Sequence, residues 1–253
     1  MTINLDSYGV IRPEKLRWVF PNNDQEILAN VKSKSLRSFL RRSDELIKEA
    51  GIDISYLELA EVDFLNWLPY YREKMSENNY DLFANEAWYQ NKIVENKQVF
   101  GIFAKHKGKL IGSVILTKMG KELATMNFKA SERINMFSAK KSSLGAILDY
   151  YFLQKMKQEG FKTISAGVAR NASGVINSFS YLEYKLGFGY YPTLMEDGLM
   201  LNDVPVNNEG NVIFYGLKNQ KLIMYGLKPA DSPFVFEQAR FSSPEIPFIE
   251  LTY

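Results

Sequence analysis

The stretch from Val99 to Val168 constrains the fold more than any other part of the chain, because its hydrophobic period changes twice. Val99-Phe-Gly-Ile-Phe-Ala and Leu110-Ile-Gly-Ser-Val-Ile-Leu-Thr are apolar runs of strand length, separated by the glycine-containing turn Lys105-His-Lys-Gly-Lys. Met119-Gly120 makes a second turn into Leu123-Ala-Thr-Met-Asn-Phe-Lys, and three runs joined by short turns predict an antiparallel meander. A segment of helical period follows from Leu144 to Glu159, with Ser142 or Ser143 to cap it and Gly160 to close it. Phe161-Lys-Thr-Ile-Ser-Ala-Gly-Val then reads as a buried strand. A strand, a covering helix and another strand imply a right-handed crossover. Strand 161–168 is therefore expected beside strand 123–129 and parallel to it.

The flanks are less regular. Residues 32–50 read as one amphipathic helix, with Lys34, Arg37, Arg41 and Lys48 on one side and Leu36, Phe39, Leu40, Leu46 and Ile47 on the other. Gly51 is the expected stop. A strand at Ile54–Leu59 and helices at Asp63–Met75 and Asn85–Glu95 precede the meander. Pro69 is expected to interrupt the first of these helices if it lies in the interior. After the parallel strand, a helix is expected at Gly174–Leu186 and strands at Tyr190–Leu194, Val212–Leu217 and Leu222–Tyr225. Asn207-Asn-Glu-Gly-Asn is the expected turn between two of them, and the tail from Pro229 is expected to be irregular. The expected organisation is an N-terminal segment over residues 1–52, a core domain over 53–228 and a tail over 229–253. The expected fold class is α/β (α+β): a mixed, mostly antiparallel central sheet with one parallel, splayed strand pair, flanked by helices.

Composition removes several chemistries. The 253 residues include no Cys and one His, which excludes disulfides, thiolate nucleophiles and Cys- or multi-His metal sites. No metal is expected, and an imidazole base would have to be His106, in a hairpin turn opposite the expected site. The opening residues lack a basic region followed by an apolar run, and no stretch nears the roughly 18 apolar residues of a membrane span. The chain reads as cytoplasmic. A net charge of +2 argues against a dedicated nucleic-acid binder and leaves local basic patches open.

Several short motifs accompany the element order. Arg170-Asn171 follows the parallel strand, Tyr184-Lys-Leu-Gly-Phe-Gly189 ends the next helix, and Leu36-Arg-Ser-Phe-Leu-Arg-Arg-Ser43 lies in the basic helix. Over roughly residues 36–217 the chain resembles the GNAT acyltransferase superfamily, with features of its FemAB and BioF2-like branch. Its Tyr184-to-Phe188 motif is one residue shorter than the family's Tyr-x-Lys-x-Gly-Phe. The resemblance implies an acyltransferase that moves an acyl group from acyl-CoA, such as acetyl-CoA, to an amine acceptor: an amino sugar, an amino acid or a peptide. The FemAB branch implies an alternative, an aminoacyl group drawn from tRNA, for which the basic face of residues 34–48 would supply phosphate contacts. A non-catalytic, GNAT-shaped binding module is the third reading.

The site follows from the same layout. Parallel strands whose carboxyl ends diverge leave a crevice, and the helix beginning near Leu144 turns its positive end toward it. Lys140, Lys141, Ser142, Ser143 and Gly145 gather there. By resemblance this is the coenzyme A pyrophosphate site, although Lys140 and Ser143 depart from the family's Gln/Arg and Gly. A solvated lysine pair beside a capping serine is the alternative. Thioester aminolysis needs a base, oxyanion stabilisation and an acid for the leaving thiolate. Tyr184 matches the family's tyrosine acid, with Tyr181 one turn earlier as the substitute. Glu132, just past strand 123–129, and Glu122, near its start, are candidate bases. Asn171 is placed either to hydrogen-bond the pantetheine arm or to form a turn.

Overall fold

In chain order the elements are β1 (Thr2–Asn4), β2 (Arg12–Pro13), β3 (Lys15–Phe20), α1 (Ile27–Asn30), α2 (Lys34–Arg41), α3 (Ser43–Glu49), β4 (Ile52–Glu58), α4 (Glu61–Glu77) and α5 (Glu86–Val94). Then come β5 (Gln98–His106), β6 (Lys109–Met119), β7 (Leu123–Ser131), α6 (Leu144–Gln158), β8 (Thr163–Arg170) and α7 (Phe179–Phe188). The last are β9 (Tyr191–Thr193), β10 (Met200–Leu201), β11 (Asp203–Pro205), β12 (Val212–Lys218), β13 (Lys221–Lys228) and β14 (Phe248–Thr252). This computed structural model describes residues 1–78, 80–132, 143–238, 241 and 245–253. The chain divides into two units, Phe20–Gly167 and Met1–Val19 joined with Val168–Tyr253.

In the unit Phe20–Gly167 the strand order is β4-β5-β6-β7-β8. The first three pairings are antiparallel, and β7 with β8 is parallel, as the crossover argument requires. Strand alternation sorts the two faces of β6. Ser113 and Ile115 face α4: the Trp67 Nε1 donates to Ser113 Oγ at 2.8 Å, and Ile115 is buried with Phe64, Trp67 and Phe128. Gly112 faces α6, where an added Cβ would come within 2.8 Å of Leu144. Around Phe128 the aromatic rings interlock, with Trp88 edge-on at 4.8 Å between centroids. Such a pair contributes about 0.5–1.5 kcal/mol beyond the area it buries.

Two helical expectations are corrected in this unit. The helix foreseen over residues 32–50 is two helices, broken at Arg42 (φ −99°, ψ 9°). Ser33 Oγ caps α2 by accepting the Leu36 N–H at 3.4 Å, and the buried Ser43 opens α3. Helix α4, in contrast, passes through Pro69 without interruption. Pro69 and Leu65, one turn earlier, are both exposed, so the carbonyl that loses its helical donor lies on the wet side of the helix.

In the other unit β12 pairs antiparallel with β13, and β14 adds a parallel strand to β13. The tail expected to be irregular thus contributes a strand. Short pairs β1–β11, β10–β2 and β3–β9 tie the first residues to the last third of the chain. Their core holds Leu5, Val10, Val204, Phe214, Tyr225 and Leu227. Helix α7 begins at Phe179, later than expected. Ser173 and Ile213 exchange backbone hydrogen bonds of 2.7 and 2.8 Å, and Gly174 takes φ +97°. That bridge holds the segment away from helical geometry until Ser178 Oγ accepts the Tyr181 N–H at 3.2 Å.

Candidate active site

Strands β7 and β8 stay together for three residue pairs, from Leu123 opposite Thr163 to Thr125 opposite Ser165. The chain then turns away at Gly167, whose φ is +87°. The Gly167 N–H is taken by the hydroxyl of the fully buried Ser165 at 3.1 Å. A Cβ at Gly167 would stand 2.9 Å from the Met126 carbonyl oxygen, so both the dihedral and the close approach call for glycine. Strand β7 continues to Ser131 with that edge no longer paired to β8.

A bulge lies on the same stretch. Ile115 faces Phe128, yet Leu116 faces Met126, leaving Asn127 as an extra residue on β7. Its side-chain amide donates to Thr117 Oγ1 and to the Thr125 carbonyl, both at 2.9 Å. These bonds fix the bulge where the wedge opens.

The tip of α6 meets the end of β7. Ser143 Oγ accepts the Ala146 N–H at 3.1 Å. A Cβ on Gly145 would lie 3.2 Å from Ser131 Oγ and 3.8 Å from Lys129 Cε, so a small residue keeps this contact close. Lys129 Nζ stands 2.8 Å from Asp149 Oδ2 and 3.5 Å from the Gly145 carbonyl oxygen. The Asp149 side chain is wholly buried, while that of Lys129 is 28 % exposed. Burying a carboxylate is costly without such a partner. Next along the chain, the Glu132 N–H donates to the Ile111 carbonyl at 2.8 Å. Its carboxylate lies 2.9 Å from Lys109 Nζ and 3.9 Å from Lys74 Nζ. Burial, and then the charge of Glu132, push the neighbouring Tyr70 hydroxyl above the ordinary phenol range.

Of the residues named from sequence, Ser143, Gly145 and Glu132 belong to this one region. Lys140, Lys141 and Ser142 lie outside the described residues. Glu122 is exposed and bound to Lys162 at 2.6 Å, and His106 ends β5 opposite Lys109. In the other unit Tyr181 and Tyr184 lie on α7: the Lys185 ammonium is 5.3 Å from the Tyr181 ring, and Tyr184 packs on Phe188 at 5.6 Å. Asn171 shares a small cavity with Tyr181, Arg170 and Tyr215. Its amide donates to the carbonyls of Pro13 (2.8 Å) and Tyr215 (2.6 Å) and accepts the Tyr215 N–H (2.7 Å), so the side chain serves the backbone of its own unit.

Sequence reading passed over Asn127, Lys129, Asp149, Ser165 and Gly167. Two had visible signals. A glycine inside an apolar strand marks a bulge or a close backbone approach. Asp149 stands alone among Ile147, Leu148, Phe152 and Leu153 on a buried helical face, where a carboxylate requires a partner.

No family model matches the chain, and no curated protein does. Solved structures do. FemX aligns with a TM-score of 0.51 at 11 % identity, over 76 % of this chain and 62 % of that one. L-PGS from Bacillus licheniformis aligns with a TM-score of 0.49 at 15 % identity, over 78 % and 62 %. A tandem GNAT protein from the clavulanic acid biosynthesis pathway aligns with a TM-score of 0.42 at 12 % identity, over 74 % and 53 %. This chain therefore spans about three fifths of the length of the first two. The fold, a mostly antiparallel sheet carrying one splayed parallel pair, shares its outline with FemX. Among the described residues no helix is long and apolar enough to cross a membrane.

Proposed function

We propose that the chain is a GNAT-type N-acyltransferase that moves an acyl group from acyl-CoA to an amine acceptor, an amino sugar, amino acid or peptide. The observation that carries this reading is the early parting of β7 and β8 beside the Asn127 bulge. Beyond the last β7–β8 pair the strand edges present backbone groups that an amide-rich pantetheine arm can engage as an added strand would. The bulge frees main-chain N–H groups from regular pairing, and such groups stabilise the oxyanion formed when an amine attacks a thioester. The N-terminal end of α6, at Ser143 and Gly145, is the proposed place for the phosphates of the donor.

In the transfer the amine nitrogen bonds to the thioester carbon and the carbon–sulfur bond breaks. One proton leaves the nitrogen and one reaches the thiolate. Glu132, paired with Lys109 at 2.9 Å, is the proposed proton acceptor, directly or through water. Tyr184, with Tyr181 as its substitute, is the proposed acid by family resemblance.

Isothermal titration with acetyl-CoA and longer acyl-CoA esters tests the reading. Binding is expected, and folded protein that takes up no heat at millimolar ligand removes the donor. In a transfer assay Tyr184→Phe should lower turnover while leaving donor affinity unchanged. An unaffected rate would move the role to Tyr181 or to water.

A second reading, an aminoacyl-tRNA donor, is favoured by the exposed cations Lys34, Arg41 and Lys48 on α2 and α3. Filter binding with tRNA over a range of salt separates the two, since phosphate contacts give affinity a steep salt dependence.

A further inference from the structure

We propose that the small cavity walled by β3, the end of β8 and β12 is a subsite for a substrate carboxylate, with Trp18 and Tyr215 donating to one of its oxygens and Arg170 supplying the opposite charge. Joined to the acyl-transfer reading, on which this step rests, the subsite selects an acceptor that carries a carboxylate, an amino acid or peptide, over an amino sugar.

The cavity lies within one unit and has Trp18, Arg170, Asn171, Asn177, Tyr181 and Tyr215 among its walls. Its free space is ≈ 10 Å³, enough for one oxygen atom, so only the tip of a ligand can enter. Trp18 and Tyr215 are each 3 % exposed, and among the described residues neither Trp18 Nε1 nor Tyr215 Oη has a hydrogen-bond partner. Their rings meet edge-on, 6.0 Å between centroids. One buried polar group without a partner is costly, and two on the same cavity ask for a common occupant.

The chemistry of the walls selects that occupant. An indole N–H can only donate. Burial holds the Tyr215 hydroxyl above the ordinary phenol range, so it also has a proton to give. The Asn171 side-chain oxygen is already taken by the Tyr215 N–H at 2.7 Å, and its amide group by the carbonyls of Pro13 and Tyr215. The Asn177 amide donates to the Arg170 carbonyl. Among the described residues the walls carry one cation, Arg170, and no carboxylate. Arg170 is exposed, within reach of a ligand oxygen that stays outside. A carboxylate oxygen brings lone pairs and no proton to these donors, and its charge strengthens each bond. A water molecule brings two protons of its own and gains nothing from Arg170.

The chain has three tryptophans, so NMR can follow the indole N–H signals of Trp18, Trp67 and Trp88 separately, with Trp18→Phe assigning the first. The probes are acetate, its neutral analogue acetamide, and chloride at equal ionic strength. Acetate should shift the Trp18 signal to saturation and leave that of Trp67, which is bonded to Ser113, in place. Acetamide and chloride should move neither. Tyr215→Phe removes one donor and Arg170→Gln the charge, and each should weaken acetate by about tenfold, with the Trp67 signal verifying the fold. A Trp18 signal that acetate does not move, or that acetamide moves equally, overturns the subsite, and so does acetate affinity unchanged in both variants. In a transfer assay over amino acids and their amides, the acids should be the better acceptors, and equal rates overturn the acceptor assignment. Protein that binds acetyl-CoA but not acetate loses the subsite and keeps the transferase reading, whereas binding of acetate without acetyl-CoA does the reverse.

Discussion

Gly167 combines a left-handed dihedral with a backbone contact that admits no Cβ, and the separation of β7 from β8 depends on both. Gly167→Ala should therefore cost about 1–3 kcal/mol, the usual range for a side chain forced into that region. Chemical denaturation should register it as a lower midpoint at unchanged slope. A variant as stable as wild type would mean that β8 has another way to leave the sheet. This residue was open to sequence reading as a glycine within an apolar run. Asn127 was not, because a bulge is defined by the partner strand: only the step from Ile115 to Leu116 against Phe128 and Met126 reveals it. Lys129 and Asp149 stand between these cases. Each looks ordinary alone, and their pairing joins positions twenty residues apart.

At the scale of elements, α6 was legible almost to the residue because its determinants are local: Ser143 before it and Gly160 after it, at φ +75°. Ser143→Ala should cost about 1 kcal/mol, seen in thermal melts. A loss near zero would mean that another group takes over the Ala146 N–H. The misplaced boundaries had distant causes. Helix α7 starts late because Ser173 is engaged by Ile213, forty residues on. The segment 32–50 breaks where Ser43 must be buried. Pro69 misled in the other direction, since a proline stops a helix less surely when the orphaned carbonyl can face water. The strand at Phe248–Thr252 was hidden in a proline- and aromatic-rich tail because its partner, β13, sets its conformation.

Across the whole molecule, burial holds the hydroxyls of Tyr71, Tyr215 and Tyr225 above the ordinary phenol range. In the unfolded chain a phenol ionises near pH 10. Above that point the folded state retains protons that the unfolded state has released, so this contribution to stability is complete below about pH 10 and declines as the pH rises further. Melting temperatures followed from about pH 8 to about pH 11 should fall at the alkaline end, and Tyr215→Phe should soften the fall. An unchanged profile in that variant would show that lysine deprotonation governs the loss instead. The long-range pairs β1–β11, β10–β2 and β3–β9 also belong to this scale, and no local pattern announces them. The extra residue at Asn127 shifts the odd–even rule of its strand: Leu116 is matched by Met126, but Ile115, on the opposite face of β6, is matched by Phe128. The strand therefore has a reading frame. Deleting a residue there would swing Lys129 toward the aromatic cluster and Phe128 away from it, so this stretch should tolerate substitutions far better than changes in length.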